Sequence, residues 1–247
     1  MKFRGFFKLT LLALFCLLLP SAVVADPIAV GQVDTFQTGP EGWHIGGGPG
    51  GAPVIPLTTV SGGGPAGAGD NYLLITATGS PQPGGRLVGI NTSQWAGNYL
   101  TNGVNAITID LNNFGPSDLS IRLLLSAPPF GPFGPENIVI TQAFNLTAGS
   151  GWTTHTFSLL LSDLIVLVGS AEAALANAFE LRIFHNPAPD FPGPPFGVPR
   201  VNAQLGVDNI TATAVPEPAT LVLLGTGLAG VGAAIRKRRK ANKSKAD

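Results

Sequence analysis

Apolar positions along this chain fall into two kinds of run, short ones in the middle and one longer one near each end. Between residues 27 and 213 the short runs are rich in Val, Ile, Leu, Thr and Phe. They lie at about Val33 to Phe36, Tyr72 to Thr78, Leu87 to Ile90, Ala106 to Leu111, Ser120 to Ser126, Ile138 to Leu146, Trp152 to Leu159, Ala178 to His185 and Gln204 to Ala212. Each run has four to nine residues and is bounded by turn residues, the signature of strands in an all-β sandwich or barrel. Period-two alternation is clear from Ala106 to Leu111, where Ile107, Ile109 and Leu111 face one way and Thr108 and Asp110 the other. In the last run Leu205, Val207 and Asn209 oppose Gly206, Asp208 and Ile210, a weaker alternation that fits a strand covered on both faces. One helix interrupts the pattern. Ser162 or Ser170 caps a predicted segment running to about Ala178, where Ala171, Ala173, Ala174, Leu175 and Ala176 raise helix propensity. Gly46 to Gly69, Pro128 to Pro135 and Pro187 to Pro199 are so rich in Gly and Pro that they read as long loops.

The two terminal runs have a different purpose. Lys2, Arg4 and Lys8 precede an apolar stretch from Leu9 to Leu19, followed by Pro20 and small residues. A basic start, an apolar run too short to span comfortably and small residues before a cut make a secretory signal peptide over 1–25, with cleavage after Ala25. At the other end, Ala219 to Ile235 carries no charge and is followed by Arg236, Lys237, Arg238, Arg239 and Lys240. As a helix rising about 1.5 Å per residue, that run reaches roughly 25 Å, near the low limit for crossing a hydrocarbon core of about 30 Å. Its basic flank belongs on the cytoplasmic side, so 219–235 is predicted as a transmembrane helix and 236–247 as a cytoplasmic tail. Everything before Pro216 then lies outside the cytoplasm.

Pro216, Glu217 and Pro218 stand directly before that run. The order Pro-Glu-Pro, small-residue apolar helix, Arg-rich end resembles the PEP-CTERM sorting signal of bacterial exported proteins. The resemblance implies an exosortase as partner, a membrane-anchored precursor at the inner membrane, and delivery to the cell surface or extracellular matrix, where the family is associated with exopolysaccharide. Two prolines keep the tripeptide extended and accessible ahead of the membrane. Gly225-Thr226-Gly227-Leu228-Ala229-Gly230 also fits a dinucleotide-binding glycine pattern, but no βαβ unit or acidic partner follows it. Small residues at that spacing suit close helix contact in a membrane instead.

Charge sharpens the picture of the exported part, 26–213. The overall balance is zero, yet ten of the 14 basic residues lie in the two terminal segments. Between Asp26 and Asp208 stand 12 acids against four arginines, Arg86, Arg122, Arg182 and Arg200, with no lysine, a net charge of −8. Such a surface repels nucleic acid and anionic lipid, and nucleic acid is not an expected partner. The single cysteine, Cys16, falls within the signal peptide, so the exported part has no disulfide or thiol nucleophile. Roughly 185 residues suffice for one core.

Chemistry-bearing residues are scattered. His44, His155 and His185 lie in separate segments without a carboxylate or second histidine at metal-ligand spacing. Gly149-Ser150-Gly151 is a turn, not a nucleophile elbow. No spacing singles out a pair of acids for glycoside hydrolysis. Asp34, Asp70 and Asp208 either supply oxygens to a structural calcium ion or cap turns. Trp43, Trp95 and Trp152 either stack on sugar rings or fill the core. Asn91, Asn145 and Asn209 begin N-x-[ST] triplets, which carry little meaning in bacterial export. No catalytic residue, metal site or cofactor is expected.

Val33-Asp34-Thr35-Phe36 with Gly42-Trp43, then Gly69-Asp70-Asn71-Tyr72-Leu73 and a closing Leu205-Gly206-Val207-Asp208-Asn209-Ile210, resemble galactose-binding-like and carbohydrate-binding jelly-roll sandwiches. That resemblance implies an all-β fold, an antiparallel β-sandwich of jelly-roll type with one short helix. The expected function is an exported, non-catalytic structural or glycan-binding protein with extracellular polysaccharide as partner. The alternative is a carbohydrate-active enzyme of the envelope.

Overall fold

The computed structural model describes residues 28–46, 53–81, 84–131, 134–190, 199–215 and 226. The predicted signal peptide with its Ala25 cleavage site, Pro216 to Pro218, the apolar run 219–235 apart from residue 226, and the basic cluster Arg236 to Lys240 lie outside them. Among the described residues no helix is long and apolar enough to cross a membrane.

Among the described residues, fourteen strands and one helix of more than a single residue follow the chain in order: β1 Val33–Asp34, β2 His44–Ile45, β3 Ile55–Pro56, β4 Thr58–Val60, β5 Tyr72–Thr78, β6 Val88–Asn91, β7 Ala106–Asn113, β8 Leu119–Gly131, β9 Gly134–Ile140, β10 Phe144–Leu146, β11 Thr153–Ser158, β12 Ile165–Val168, α1 Ala171–Ala176, β13 Glu180–His185 and β14 Asn202–Thr213. They form two antiparallel sheets. One has six strands in the order β11-β7-β14-β5-β4, with β1 also on β14; the other has eight in the order β12-β9-β8-β13-β6-β2-β3, with β10 also on β8. The two longest strands explain the side pairings. β14 pairs with β5 through its first half and with β1 through Ile210 and Thr211. Likewise β8 holds β10 at Leu119 to Ile121 and β9 from Leu124 onward.

The core lies between the sheets. Ile107, Ile109, Leu111, Leu205 and Val207 from one sheet meet Ile121, Leu123, Leu125, Leu181 and Ile183 from the other, all with no exposed surface. The alternation read in 106–111 is therefore the buried face of β7. In β14 the alternation changes partway. Asn209 sits at φ 49°, the register against β7 shifts between Asp208 and Thr211, and Ile210 enters the core where Asn209 was expected. A bulge of this kind adds one residue to one strand and flips the face of those that follow.

Four sequence expectations need correction. Ile138 to Leu146 is not one strand; β9 ends at Ile140 and β10 begins at Phe144. The glycine-rich stretch 46–69 contains β3 and β4, the latter paired with Tyr72 to Leu74 of β5. Residues 128–135 are not a free loop but the far end of the β8–β9 hairpin, with Phe130 opposite Pro135. Finally, Ser170 and not Ser162 begins the helix; its hydroxyl accepts from the Ala173 amide at 3.1 Å. Segment 165–168 is instead an edge strand on β9.

One buried carboxylate fastens the first strand to the body. Asp34 Oδ2 accepts from the indole N–H of Trp43 at 2.7 Å, the indole N–H of Trp95 at 2.7 Å and Gln94 Nε2 at 3.1 Å. Burial pushes the Asp34 carboxyl up, against the three donors that hold it down. Trp43 and Trp95 are thus core pieces.

Candidate binding groove

Cross-strand pairing decides which side chains share the outer face of the eight-stranded sheet, because directly opposed residues point the same way. Ser126 lies opposite Glu180, Leu124 opposite Arg182, Arg182 opposite Ile90, and Ile90 opposite His44. These side chains form a continuous row across β8, β13, β6 and β2. Beyond Ala127 the β8–β9 ladder shifts register and carries Phe130 to the end of this row. Phe179, just before β13, meets it edge to face, ring centroids 5.2 Å apart at 85°. Phe130 is 54% exposed and Phe179 45%. Between them and His44, Ile90, Thr92, Glu180 and Arg182 lies a groove of about 300 Å³.

Its floor is charged and ordered. Glu180 Oε1 takes the Ser126 hydroxyl at 2.6 Å and Arg182 Nη2 at 2.7 Å. Glu180 is buried and Arg182 nearly so, which strengthens a charge-assisted contact relative to one in open water. His44 Nδ1 is buried with no hydrogen-bond partner among the described residues. Away from the groove the same face turns apolar, with Leu124, Ile138, Ile140 and Phe184 buried beside Val88, Ile165 and Leu167. Arg122 closes that side; its guanidinium donates to the carbonyls of Asn186, Thr141 and Pro187. Exposed rings beside fixed donors and acceptors can hold a molecule with both C–H faces and hydroxyls. Among the described residues of the lining, Glu180 is the one carboxylate.

The other residues singled out from sequence are dispersed. His155 stacks on Phe144 at 3.9 Å and touches Phe157, and burial holds its pKa below the usual histidine range. His185 Nδ1 accepts from the Ser120 amide at 2.9 Å, and burial lowers its pKa as well. Asp70 accepts from Gln37 Nε2 at 2.8 Å and the Ala66 amide at 2.7 Å, closing its own loop. Asp34 holds indoles from β1, which pairs with β14 at Ile210, two residues past Asp208. Among the described residues no three acids, histidines or cysteines are grouped to hold a metal ion, so the calcium reading of Asp34, Asp70 and Asp208 is not met by a shared site.

Trp152 belongs to the opposite outer face. It packs with Tyr72 and Phe114 at centroid distances of 5.3 and 5.9 Å, and its indole N–H donates to the Gly63 carbonyl at 2.9 Å. Beneath this trio is Gly206; a Cβ there would stand 2.6 Å from the Phe114 ring and 3.0 Å from Trp152. Nearby, Asp208 is fully buried, with Oδ1 taking the Asn209 amide at 2.8 Å and Oδ2 without a partner among the described residues. Burial first, then the charges of Asp70, Asp110 and Glu41, push its pKa up to about 7 against the Asn209 hydrogen bond.

Sequence reading did not select Phe130, Phe179, Glu180 or Arg182. The available signal was Glu180 and Arg182 two apart on one strand, in a domain with only four arginines.

Among the described residues the molecule is thus an all-β, two-sheet protein with almost no helix, and residues 214–239 match the PEP-CTERM protein-sorting motif. That motif marks an exported protein. No curated protein matches the sequence. Solved structures similar to it include the family 11 carbohydrate-binding module from Clostridium thermocellum in complex with a β-1,3-1,4-mixed-linked tetrasaccharide, at 15% identity and TM-score 0.45 over 77% of this chain and 99% of that one. A carbohydrate-binding module specific for non-crystalline cellulose aligns at 12% identity and TM-score 0.41, over 76% and 97%. An exo-β-agarase aligns at 9% identity and TM-score 0.49, over 76% of this chain and 25% of that chain.

Proposed function

We propose that the exported domain is a non-catalytic glycan-binding module, held at the inner membrane as an anchored precursor and released by an exosortase to the cell surface or matrix. Extracellular polysaccharide is its partner, seated in the groove on the outer face of the eight-stranded sheet. The observation that carries this reading is the pair Phe130 and Phe179. Two large rings stand in water at the mouth of a cavity whose floor is a fixed Glu180–Arg182 ion pair. Ring faces and edges meet the C–H surfaces of a sugar, while buried charged groups meet its hydroxyls. One carboxylate among the described lining residues, where glycoside hydrolysis takes two, supports binding over hydrolysis.

Binding of the exported protein to a panel of bacterial and plant polysaccharides tests the reading. Wild type is expected to bind at least one glycan, with about tenfold weaker binding after Phe179→Ala. Binding unchanged by Phe130→Ala and Phe179→Ala places the site elsewhere. Hydrolysis of the bound glycan, abolished by changing one acid, overturns the non-catalytic part. For the sorting part, the carboxyl terminus of the native protein is read by mass spectrometry with and without the processing enzyme. Retention of 219–247 in both samples sinks it.

A further inference from the structure

At the end of the sandwich where β14 stops, the chain is clamped. The Asn105 amide donates to the Thr213 carbonyl at 3.1 Å, Asn105 Nδ2 donates to the Val215 carbonyl at 2.8 Å, and the Val215 amide donates to Asn105 Oδ1 at 2.6 Å. Asn105 is itself bound to the end of the neighbouring strand β11, since its carbonyl accepts from the Leu159 amide at 2.8 Å. The sorting motif begins at residue 214, inside this clamp. The described fold runs to Val215, the residue that precedes Pro216 in the sequence.

Beside the clamp, the segments 99–105 and 159–163 enclose a groove of about 750 Å³. Its rim is apolar: Leu100 is 43% exposed and Leu161 42%, and Val215 alongside is 44% exposed. Asp163 is the one charged residue among the described residues of the lining. The start of the domain is gathered to the same place, with Asn102 Nδ2 on the Ile28 carbonyl at 2.6 Å and the Gly31 amide on the Ala212 carbonyl at 2.8 Å. Exposed leucines at one pole of a domain of net charge −8 call for a neighbour of apolar or neutral character.

Chain length says which neighbour. From Val215 to Ala219, the first residue of the apolar run, are four steps, roughly 14 Å at full extension. The polar layer on each side of a hydrocarbon core is roughly 5–8 Å thick. With 219–235 in the bilayer, the clamped Val215 stands at the headgroups or just above them, and the pole around it has nowhere else to lie. We propose that, while the tail is attached, this pole rests on the lipid surface with Leu100 and Leu161 at headgroup level. This rests on the reading of 219–235 as a membrane span. The domain would then stand upright on its pole, with the outer faces of both sheets turned sideways and free.

The test uses the chain 26–247 reconstituted in phosphatidylcholine–phosphatidylethanolamine vesicles. That chain has no cysteine, so Leu100→Cys, Leu161→Cys and Asn202→Cys each accept one environment-sensitive fluorophore. Asn202 opens β14 and marks the opposite end. Labels at 100 and 161 are expected to shift to the blue and to lose emission to a quencher attached at the headgroup, while the label at 202 does neither. A flexible Gly-Ser insert of about ten residues after Val215 is expected to abolish the difference, because the pole is then free to leave the surface. Labels at 100 and 161 that behave like the one at 202, in protein that floats with the vesicles, overturn the proposal. Failure to float at all overturns the span reading and the proposal with it. A shift that needs the processing enzyme in the vesicles overturns the lipid assignment in favour of that enzyme.

Discussion

The outer faces of the two sheets both carry aromatic clusters, but among the described residues one set packs on itself and the other stands beside a cavity. On the six-stranded sheet, Tyr72, Phe114 and Trp152 close on one another over Gly206, and the Trp152 indole is already bonded to Gly63. Around them the face is polar: Thr108 and Thr156 hydroxyls lie 2.9 Å apart, and Asp110 accepts from Asn209 Nδ2 at 2.8 Å. On the eight-stranded sheet, Phe130 and Phe179 overhang a cavity and the polar groups form its floor. Exposed aromatic residues therefore do not define a binding face. What matters is whether the rings lie on backbone or beside empty space.

The ways to break this comparison run from large effects to small. Glu180→Ala removes the buried partner of Arg182 and the acceptor of Ser126, and is expected to cost about 3 kcal/mol in a denaturant titration. A loss under about 0.5 kcal/mol would mean that the groove floor is wet and not preformed. On the other face, Gly206→Val drives a side chain into Phe114 and Trp152, with an expected cost of about 2 kcal/mol in stability and no change in glycan affinity. Weaker glycan binding in that variant would move the site to the six-stranded sheet. Phe130→Ala and Phe179→Ala reverse the pattern: affinity falls by about 1 kcal/mol each while unfolding changes by less than about 0.5 kcal/mol.

A further effect is a slope against pH. The raised Asp208 carboxyl keeps its proton in the folded state up to about pH 7, while the unfolded chain releases it near 3.8. The folded state thus binds more protons between these values, and this group makes stability fall as pH rises from about 4 to 7. Asp208→Asn is expected to remove that contribution, so the gap between variant and wild type widens in the variant's favour toward pH 7. Parallel pH profiles would show that Asp208 is solvated and ionises normally.

Much of the sandwich was legible in the sequence, because its strands are runs of β-favouring residues closed off by turn residues. Tyr72 to Thr78 is a strand over the residues read from the pattern. The alternation in 106–111 gave the buried face of β7 as well. What stayed hidden was made by pairing and not by composition. β2, β3 and β4 are two or three residues long, and backbone hydrogen bonds to neighbours hold them in place. The bulge at Asn209 was invisible because a local run of alternating residues does not reveal where a partner strand slips register. The groove had no linear signal either. Phe130 and Phe179 meet only because β8 and β13 are neighbours, and Pro128 to Pro135 looked like loop. The sorting motif was the reverse case, contiguous and readable in chain order.

The carboxylate of Asp34 also gives the molecule an internal light gauge. Two of its three tryptophans share that single acceptor, so their emission reports directly on whether the opening strand is docked. The third indole, on the far wall, serves as a reference lamp within the same molecule. Peeling of the first strand should thus change colour before the rest of the structure melts.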